Sequence, residues 1–159
     1  MARIELITEI AAPIERCFDL ARSIDAHLAS TEGIREKAVA GTTTGLIGLS
    51  EQITWNSRHY GFTVVHTSRI TKYERPFHFQ DVMVEGIFRK FEHDHWFTES
   101  NGMTTMRDVI EVVAPKWAAA CIVGPWIMAS YLRRLIVQRN AFLKHVAESD
   151  RCKQFLRPS

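Results

Sequence analysis

The segment from Arg89 to Val113, RKFEHDHWFTESNGMTTMRDVIEVV, leaves few folds open. Phe91, His93, His95 and Phe97 alternate with Glu92, Asp94, Trp96 and Thr98, so one face of a strand carries two aromatic rings and two imidazoles. Asn101-Gly102 follows, a dipeptide whose residues both tolerate positive φ and which closes tight hairpins. With that pair as the turn, Phe97 opposes Met106, His95 opposes Asp108, His93 opposes Ile110 and Phe91 opposes Val112. On the other face Trp96 meets Arg107 and Glu92 meets Glu111, a combination suited to solvent. A histidine–aspartate pair therefore falls on the apolar face. Buried polar groups need partners, and such a pair points to a place where something small binds.

Length and composition narrow the class. The chain of 159 residues suggests one domain, expected over residues 1–150 with a tail at 151–159, large enough to bury about 70% of its unfolded surface. Apolar content of 46% and charged content of 24% are ordinary for a globular protein. A net charge of +2 without a basic tail speaks against a nucleic-acid partner. Cys17, Cys121 and Cys152 are widely and irregularly spaced, which suits a reducing cytoplasm and neither a disulfide framework nor a zinc motif. Glu5 and Glu9 interrupt any apolar core of a signal peptide. The longest apolar run, Trp117 to Leu132, contains Gly124-Pro125 and stops at Arg133-Arg134, short of the roughly 20 residues that a membrane span requires.

Along the chain, Ile4, Leu6, Thr8 and Ile10 alternate as a strand that ends at Ala12-Pro13. Pro13 then opens a helix on which Ile14, Cys17, Phe18 and Ala21 keep helical spacing, with Glu15 at its positive end. Ser23 or Asp25 caps a second short helix reaching Ser30. Gly33 to Ala40 reads as a strand and Gly41 to Gly48 as a loop. Glu51 to Asn56 and Tyr60 to Tyr73 read as strands joined near Ser57 to His59. Glu74-Arg75-Pro76 breaks the second, and Phe77 to Phe88 forms another before the hairpin. From Pro125 the period changes: Met128, Leu132, Leu135, Phe142 and Val146 recur at three- and four-residue spacing, predicting a helix to about Ala147. Trp117 to Val123 is a loop or a preceding helical turn, and the chain from Arg151 frays. The expected class is α+β: six or seven antiparallel strands curved around a long C-terminal helix, with two short helices after the first strand.

In that order of elements the chain resembles the SRPBCC superfamily of helix-grip proteins (START-like, polyketide cyclase/dehydrase-like and birch-pollen-allergen-like), and most closely its small bacterial ligand-binding members. The likeness runs over nearly the whole chain. It is carried by Trp55 with His59 and Gly61, Pro76-Phe77 through Asp81, Gly86-Ile87-Phe88, the H-x-H-x-F of His93 to Phe97, and the T-x-M-x-D of Thr104 to Asp108. Such proteins place a glycine soon after the proline that follows the last strand. Here Lys116-Trp117 follows Pro115, and Gly124 comes later. The resemblance implies the fold and a cavity between sheet and helix; the superfamily's activities range from lipid carriage to cyclisation.

His95 with Asp108 fits either a general base with its orienting carboxylate or a buried pair that fixes strand register. His93 and His95 lie two apart on one strand face, with Asp108 a third ligand for a metal, but nothing nearby completes a recognised metal motif, so neither metal nor cofactor is assigned. Phe91, Phe97, Met106 and Ile110 ring the pair. Trp55, Phe62 and Met128 extend the ligand-binding set, and Phe77, Phe79, Phe88, Met83 and Met103 add aromatic and adaptable surface. Tyr60 and His66 are further polar candidates. Arg133, Arg134 and Arg139 are read as a solvated helix face, and Arg69, Lys72 and Arg75 as solvent-facing strand positions. Three functions remain: a cytoplasmic carrier or sensor of a small hydrophobic or aromatic molecule, a cyclase or dehydratase using the His–Asp pair, and an interaction domain with a filled cavity. No nucleophile of a Ser/His/Asp or Cys/His set is evident, and oligomeric state is not legible.

Overall fold

A computed structural model describes residues 1–114 and 125–156. Strand β1 (Ala2–Ile10) leads into helices α1 (Ile14–Ala21) and α2 (Ile24–Ser30); β2 (Lys37–Gly41), β3 (Gln52–His59), β4 (Phe62–Glu74), β5 (His78–Glu85), β6 (Lys90–Ser100) and β7 (Met103–Val113) follow, then α3 (Pro125–Ala147) and α4 (Cys152–Phe155). The seven strands form one sheet in the order β1-β7-β6-β5-β4-β3-β2, with every pairing antiparallel. The expected α+β architecture is thus present, with α1, α2 and α3 against one face of the sheet.

The β6–β7 hairpin has the register read from the sequence: His95 opposes Asp108, Phe97 opposes Met106 and His93 opposes Ile110. Asn101 and Gly102 both take positive φ, 53° and 74°, as a two-residue turn of this hand demands. The structure adds a second such turn. Tyr60 and Gly61 have φ of 49° and 87°, so the connection lies there and β3 continues through the expected connection at Ser57–His59. Only the glycine marks that turn in the sequence, since tyrosine is rare at positive φ.

Curvature comes from extra residues in the ladder. Ile70 pairs with Asp81 and Lys72 with Gln80, leaving Thr71 unmatched; Val39 and Val84 interrupt their ladders in the same way. Each bulge bends and twists its strand. The Thr71 bulge also changes which parity faces inward, so buried Ile70 and half-buried Tyr73 both reach the core cluster.

The core lies at one end of the concave face. Phe18 of α1 is fully buried and meets Tyr73, Phe79 and Phe97 edge-on at 5.5, 5.3 and 5.4 Å between ring centres. Ser23 caps α2 by accepting from the amide of Ala26 at 3.2 Å, which settles the choice between Ser23 and Asp25. Asp25 instead accepts from the amide of Gly45 at 2.9 Å and holds the loop after β2. Leu143, Val146 and Ala147 of α3 complete this core.

Three local expectations are corrected. Glu32–Ile34 is a 3-10 turn, so β2 starts at Lys37 and not at Gly33. The strand expected from Phe77 to Phe88 is shortened to His78–Glu85, because bends occupy residues 86–89. The chain after Arg151 is not frayed at once: α4 buries Cys152, and its Phe155 packs edge-on against Phe142 at 6.0 Å. The segment Trp117–Val123 and the Pro115–Gly124 connection lie outside the described residues.

Truncating Phe18 to alanine would open a void among three rings. Denaturant unfolding should show a loss of about 3–5 kcal/mol for Phe18→Ala; an unchanged midpoint would mean that α1 does not anchor this end of the sheet.

Candidate functional site

Beyond the core, sheet and helix separate around a cavity of about 560 Å³. The N-terminal half of α3 forms one wall through Met128, Tyr131, Leu132, Leu135 and Ile136. These residues are only half-buried because the cavity takes the place of packing partners. Trp55 of β3, Val64, His66 and Ile70 of β4, Phe79 and Met83 of β5, and Phe91 of β6 form the sheet side. Phe88 and Ile87 close it from the β5–β6 connection, and His27 from α2. Tyr131 hydroxyl and His59 Nδ1 are hydrogen-bonded at 2.6 Å, tying α3 to the β3–β4 hairpin.

At the end nearest the core lies a polar network built on two strands and their neighbours. Asp108 on β7 has no exposure at all. His93 Nε2 donates to Asp108 Oδ1 at 2.8 Å, and Asn140 Nδ2 donates to Asp108 Oδ2 at 2.7 Å. His95 Nε2 donates to Asp81 Oδ2 at 3.2 Å. His95 Nδ1 lies 2.9 Å from Asp108 Oδ1, but the contact is off the ring N–H direction and this nitrogen has no hydrogen-bond partner. The expected opposition of His95 and Asp108 is thus present within reach, and the imidazole with the well-directed bond to Asp108 is His93, which reaches it diagonally across the ladder. The rings of His93 and His95 are 3.8 Å apart, and Phe79 stacks on His95 at 4.2 Å.

Arg139 overturns the reading of a solvated helix face. It is 6% exposed, donates from Nη2 to the carbonyl of Ala21 at 2.7 Å, and comes within 4.0 Å of Asp108 Oδ1. Arg133 and Arg134 are exposed as expected. The helical spacing carries the correct signal, since Arg139 and Asn140 continue the stripe of Leu132, Leu135 and Ile136 toward Leu143. Phase around the helix, and not charge, decides which arginine is buried.

Burial alone would raise the pKa of both carboxyls. At Asp108 the imidazoles of His93 and His95 outweigh burial and hold the group well below the usual carboxylate range. At Asp81 the His95 hydrogen bond and neighbouring positive charge likewise outweigh burial and lower the group. Burial pulls His95 down, but its two carboxylate neighbours overcome that and raise it. Burial and the neighbouring His95 lower His93. With His95 protonated, two carboxylates, one guanidinium and one imidazolium sum to zero charge, which is how such a cluster tolerates burial.

Of the residues singled out from the sequence, His93, His95, Phe91, Trp55, Met128, Tyr60 and His66 line the cavity. Asp108 does not; it sits behind the two imidazoles. Phe97 and Met106 are on the same strand face but belong to the core cluster packed around α1. Ile110 is covered by packing with Leu132 and Ile136 of α3. Phe62 is 76% exposed: it follows the Tyr60-Gly61 turn at the hairpin tip. Phe77 and Met103 are likewise exposed. Asp81 joins the site although the sequence marked it only as the end of the Pro76–Asp81 stretch and not as a site residue; Phe79, Asp81 and Met83 alternate on one face as clearly as the hairpin does.

His59 and His66 are both lowered from the ordinary imidazole value of 6.5, first by burial. Glu36, Asp81, His27 and His59 act on His66, and their balance leaves the lowering in place. A lowered histidine takes up protons more readily in the unfolded chain, so the stability tied to His66 is complete above pH 6.5 and is lost as pH falls below it. Denaturation at about pH 7.5 and about pH 5.5, above and below the ordinary value of 6.5, should show a smaller stability loss for His66→Leu than for the unaltered chain; equal losses would contradict the assignment.

No family model matches the chain, and no curated protein matches it. Solved structures do. A START superfamily protein from Mycobacterium smegmatis superposes with a TM-score of 0.69 at 12% identity, over 92% of this chain and 97% of that one. The protein TTHA0849 from Thermus thermophilus gives 0.69 at 14% identity, over 92% and 99%. Major latex-like protein 151 from Panax ginseng gives 0.67 at 12% identity, over 93% and 98%. At such identities the likeness speaks for architecture, and it agrees with the order of elements described above. The chain has the helix-grip fold of the START-like and birch-pollen-allergen-like proteins, the fold that its sequence resemblance to the SRPBCC superfamily implies.

Proposed function

We propose that the cavity binds a small, largely apolar or aromatic molecule, as a carrier or sensor does, with a polar group of that molecule turned toward His93, His95 and Asp81. One observation carries this reading: a space of about 560 Å³ is walled mainly by apolar side chains, with Asp81, His93 and His95 among the few polar groups set into its wall. That volume lies within the roughly 300–1,000 Å³ of small-molecule sites, which combine apolar lining with a few fixed polar groups. The half-buried state of Leu135 and Ile136 supports it too, since a helix face with no ligand role would be expected to pack fully against the sheet. Trp55, Phe91 and Met128 supply the apolar contacts in this reading, and His66 and Tyr131 further polar ones. Asp108, Phe97, Met106 and Ile110 support the site from behind. Among the described residues no helix is long and apolar enough to cross a membrane.

Ser68 lies on the cavity wall in the middle of β4. Ser68→Phe should fill the space while leaving the backbone ladder intact. An apolar fluorophore such as anilinonaphthalene sulfonate should bind the unaltered chain stoichiometrically and bind Ser68→Phe at least about tenfold more weakly, a change of about 1.4 kcal/mol. Equal binding by two folded proteins would remove the cavity from the reading. Native mass spectrometry of the protein taken from cells gives a second check, because a co-purified small molecule should be depleted in the same variant.

A further inference from the structure

We propose that Asp81, His93 and His95 form a binding site for a first-row divalent transition-metal ion of the zinc type, open to the cavity. One oxygen of Asp81 and one ring nitrogen from each histidine lie within 4.8 Å of one another. All three residues line the cavity. Asp81 and His93 are direct neighbours across β5 and β6, and His95 is two residues further along the same face. His95 Nε2 is 3.2 Å and His93 Nδ1 3.8 Å from Asp81 Oδ2. Ligand atoms around a tetrahedral ion with bonds of about 2.0–2.1 Å lie roughly 3.3 Å apart, so the two distances to Asp81 Oδ2 are already close to what an ion requires.

The surroundings suit a cation. His93 uses its Nε2 proton on Asp108, so in the neutral ring the Nδ1 lone pair faces the Asp81 carboxylate, and two electron-rich atoms meet across a gap. His95 stands between two carboxylates, and its Nδ1, although buried against Asp108, has no hydrogen-bond partner. An ion at Nε2 would fix the proton on Nδ1 and turn it toward Asp108. Asp108 would then orient both liganding imidazoles, itself held by Asn140 at 2.7 Å. Outer carboxylates that orient liganding histidines in this manner are the usual companions of metal sites. A liganding His95 gives up its added proton, so the cation takes over the positive charge that balances Asp81, Asp108 and Arg139. Two imidazoles and one carboxylate suit zinc or ferrous iron and not magnesium or calcium. Three protein ligands leave the remaining coordination position to water or to a polar group in the cavity.

The probe is the metal alone, so the outcome does not depend on identifying an organic molecule for the cavity. Calorimetric titration of the chelator-treated full chain with zinc should give one ion per chain. Cobalt should give a visible spectrum of nitrogen and oxygen ligation without a sulfur charge-transfer band. Asp108→Asn should weaken binding by about 10–100-fold at unchanged stoichiometry. Asp81→Asn and His95→Gln should each weaken it by more than that, and His145→Ala, on the exposed side of α3, should leave it unchanged. Asp81 is only half-buried, so its variant tests the site even if the imidazole variant fails to fold. No zinc binding, a sulfur band, or full affinity in folded Asp81→Asn would overturn the proposal, as would loss of binding in His145→Ala.

Discussion

Asp108 is a carboxylate without access to water, and it is stable where β6, β7 and α3 meet only because each neighbour answers part of its charge. His93 and Asn140 donate to its two oxygens, His95 lies against it, and Arg139 adds a guanidinium 4.0 Å away. The partners come from a strand and a helix distant in sequence. Register of the hairpin and phase of the helix are therefore set against one another by the same buried group. A slip of one residue in β6 would turn both imidazoles to the outer face, leaving Asp108 without either of them. A rotation of α3 would withdraw Asn140 and Arg139 together. Removing one partner from a buried charged cluster typically costs about 3–5 kcal/mol, so competing arrangements are strongly disfavoured.

The concave face divides into two halves with different fates. Toward α1, Phe18 drives between Tyr73, Phe79 and Phe97 and fills the space completely. Toward the start of α3 no side chain of comparable size among the described residues enters, and Leu132, Leu135 and Ile136 look across a gap to β4 and β5. The Asp108 network stands at the border. It presents His93, His95 and Asp81 to the gap and keeps Asp108 and Asn140 behind them. A rigid, fully packed end thus supports polar groups at the edge of an open one, an arrangement that holds them in fixed geometry without filling the cavity.

The outer face carries a polar cluster of a different kind. His78 donates to Asp94 at 2.7 Å, Gln80 donates to the same carboxylate at 3.0 Å, and Trp96 lies flat over His78 with ring centres 3.7 Å apart. It belongs to the strand face opposite the cavity. The alternation of β5 and β6 thus separates two histidine–aspartate sets, one on each side of the sheet.

Local chemistry was legible in the sequence. The period of two in β6 and β7 and the Asn101-Gly102 turn specify the hairpin and its register. Pro13, Ser23 and Pro125 mark helix starts, and the order of elements specifies the helix-grip architecture, because these signals act within a few residues of one another. Which inward-facing side chains line the cavity was not legible. Phe91, Phe97, Met106 and Ile110 share one strand face, yet α1 covers two of them, α3 covers one, and only Phe91 is left to the cavity. Likewise, whether His95 bonds Asp108 or Asp81 depends on where β5 lies, and whether Arg139 is solvated depends on how α3 rolls against α1 and β1. Periodicity assigns a residue to a face; only the packing of distant segments decides what covers that face, and so which groups are buried, charged and accessible to a ligand.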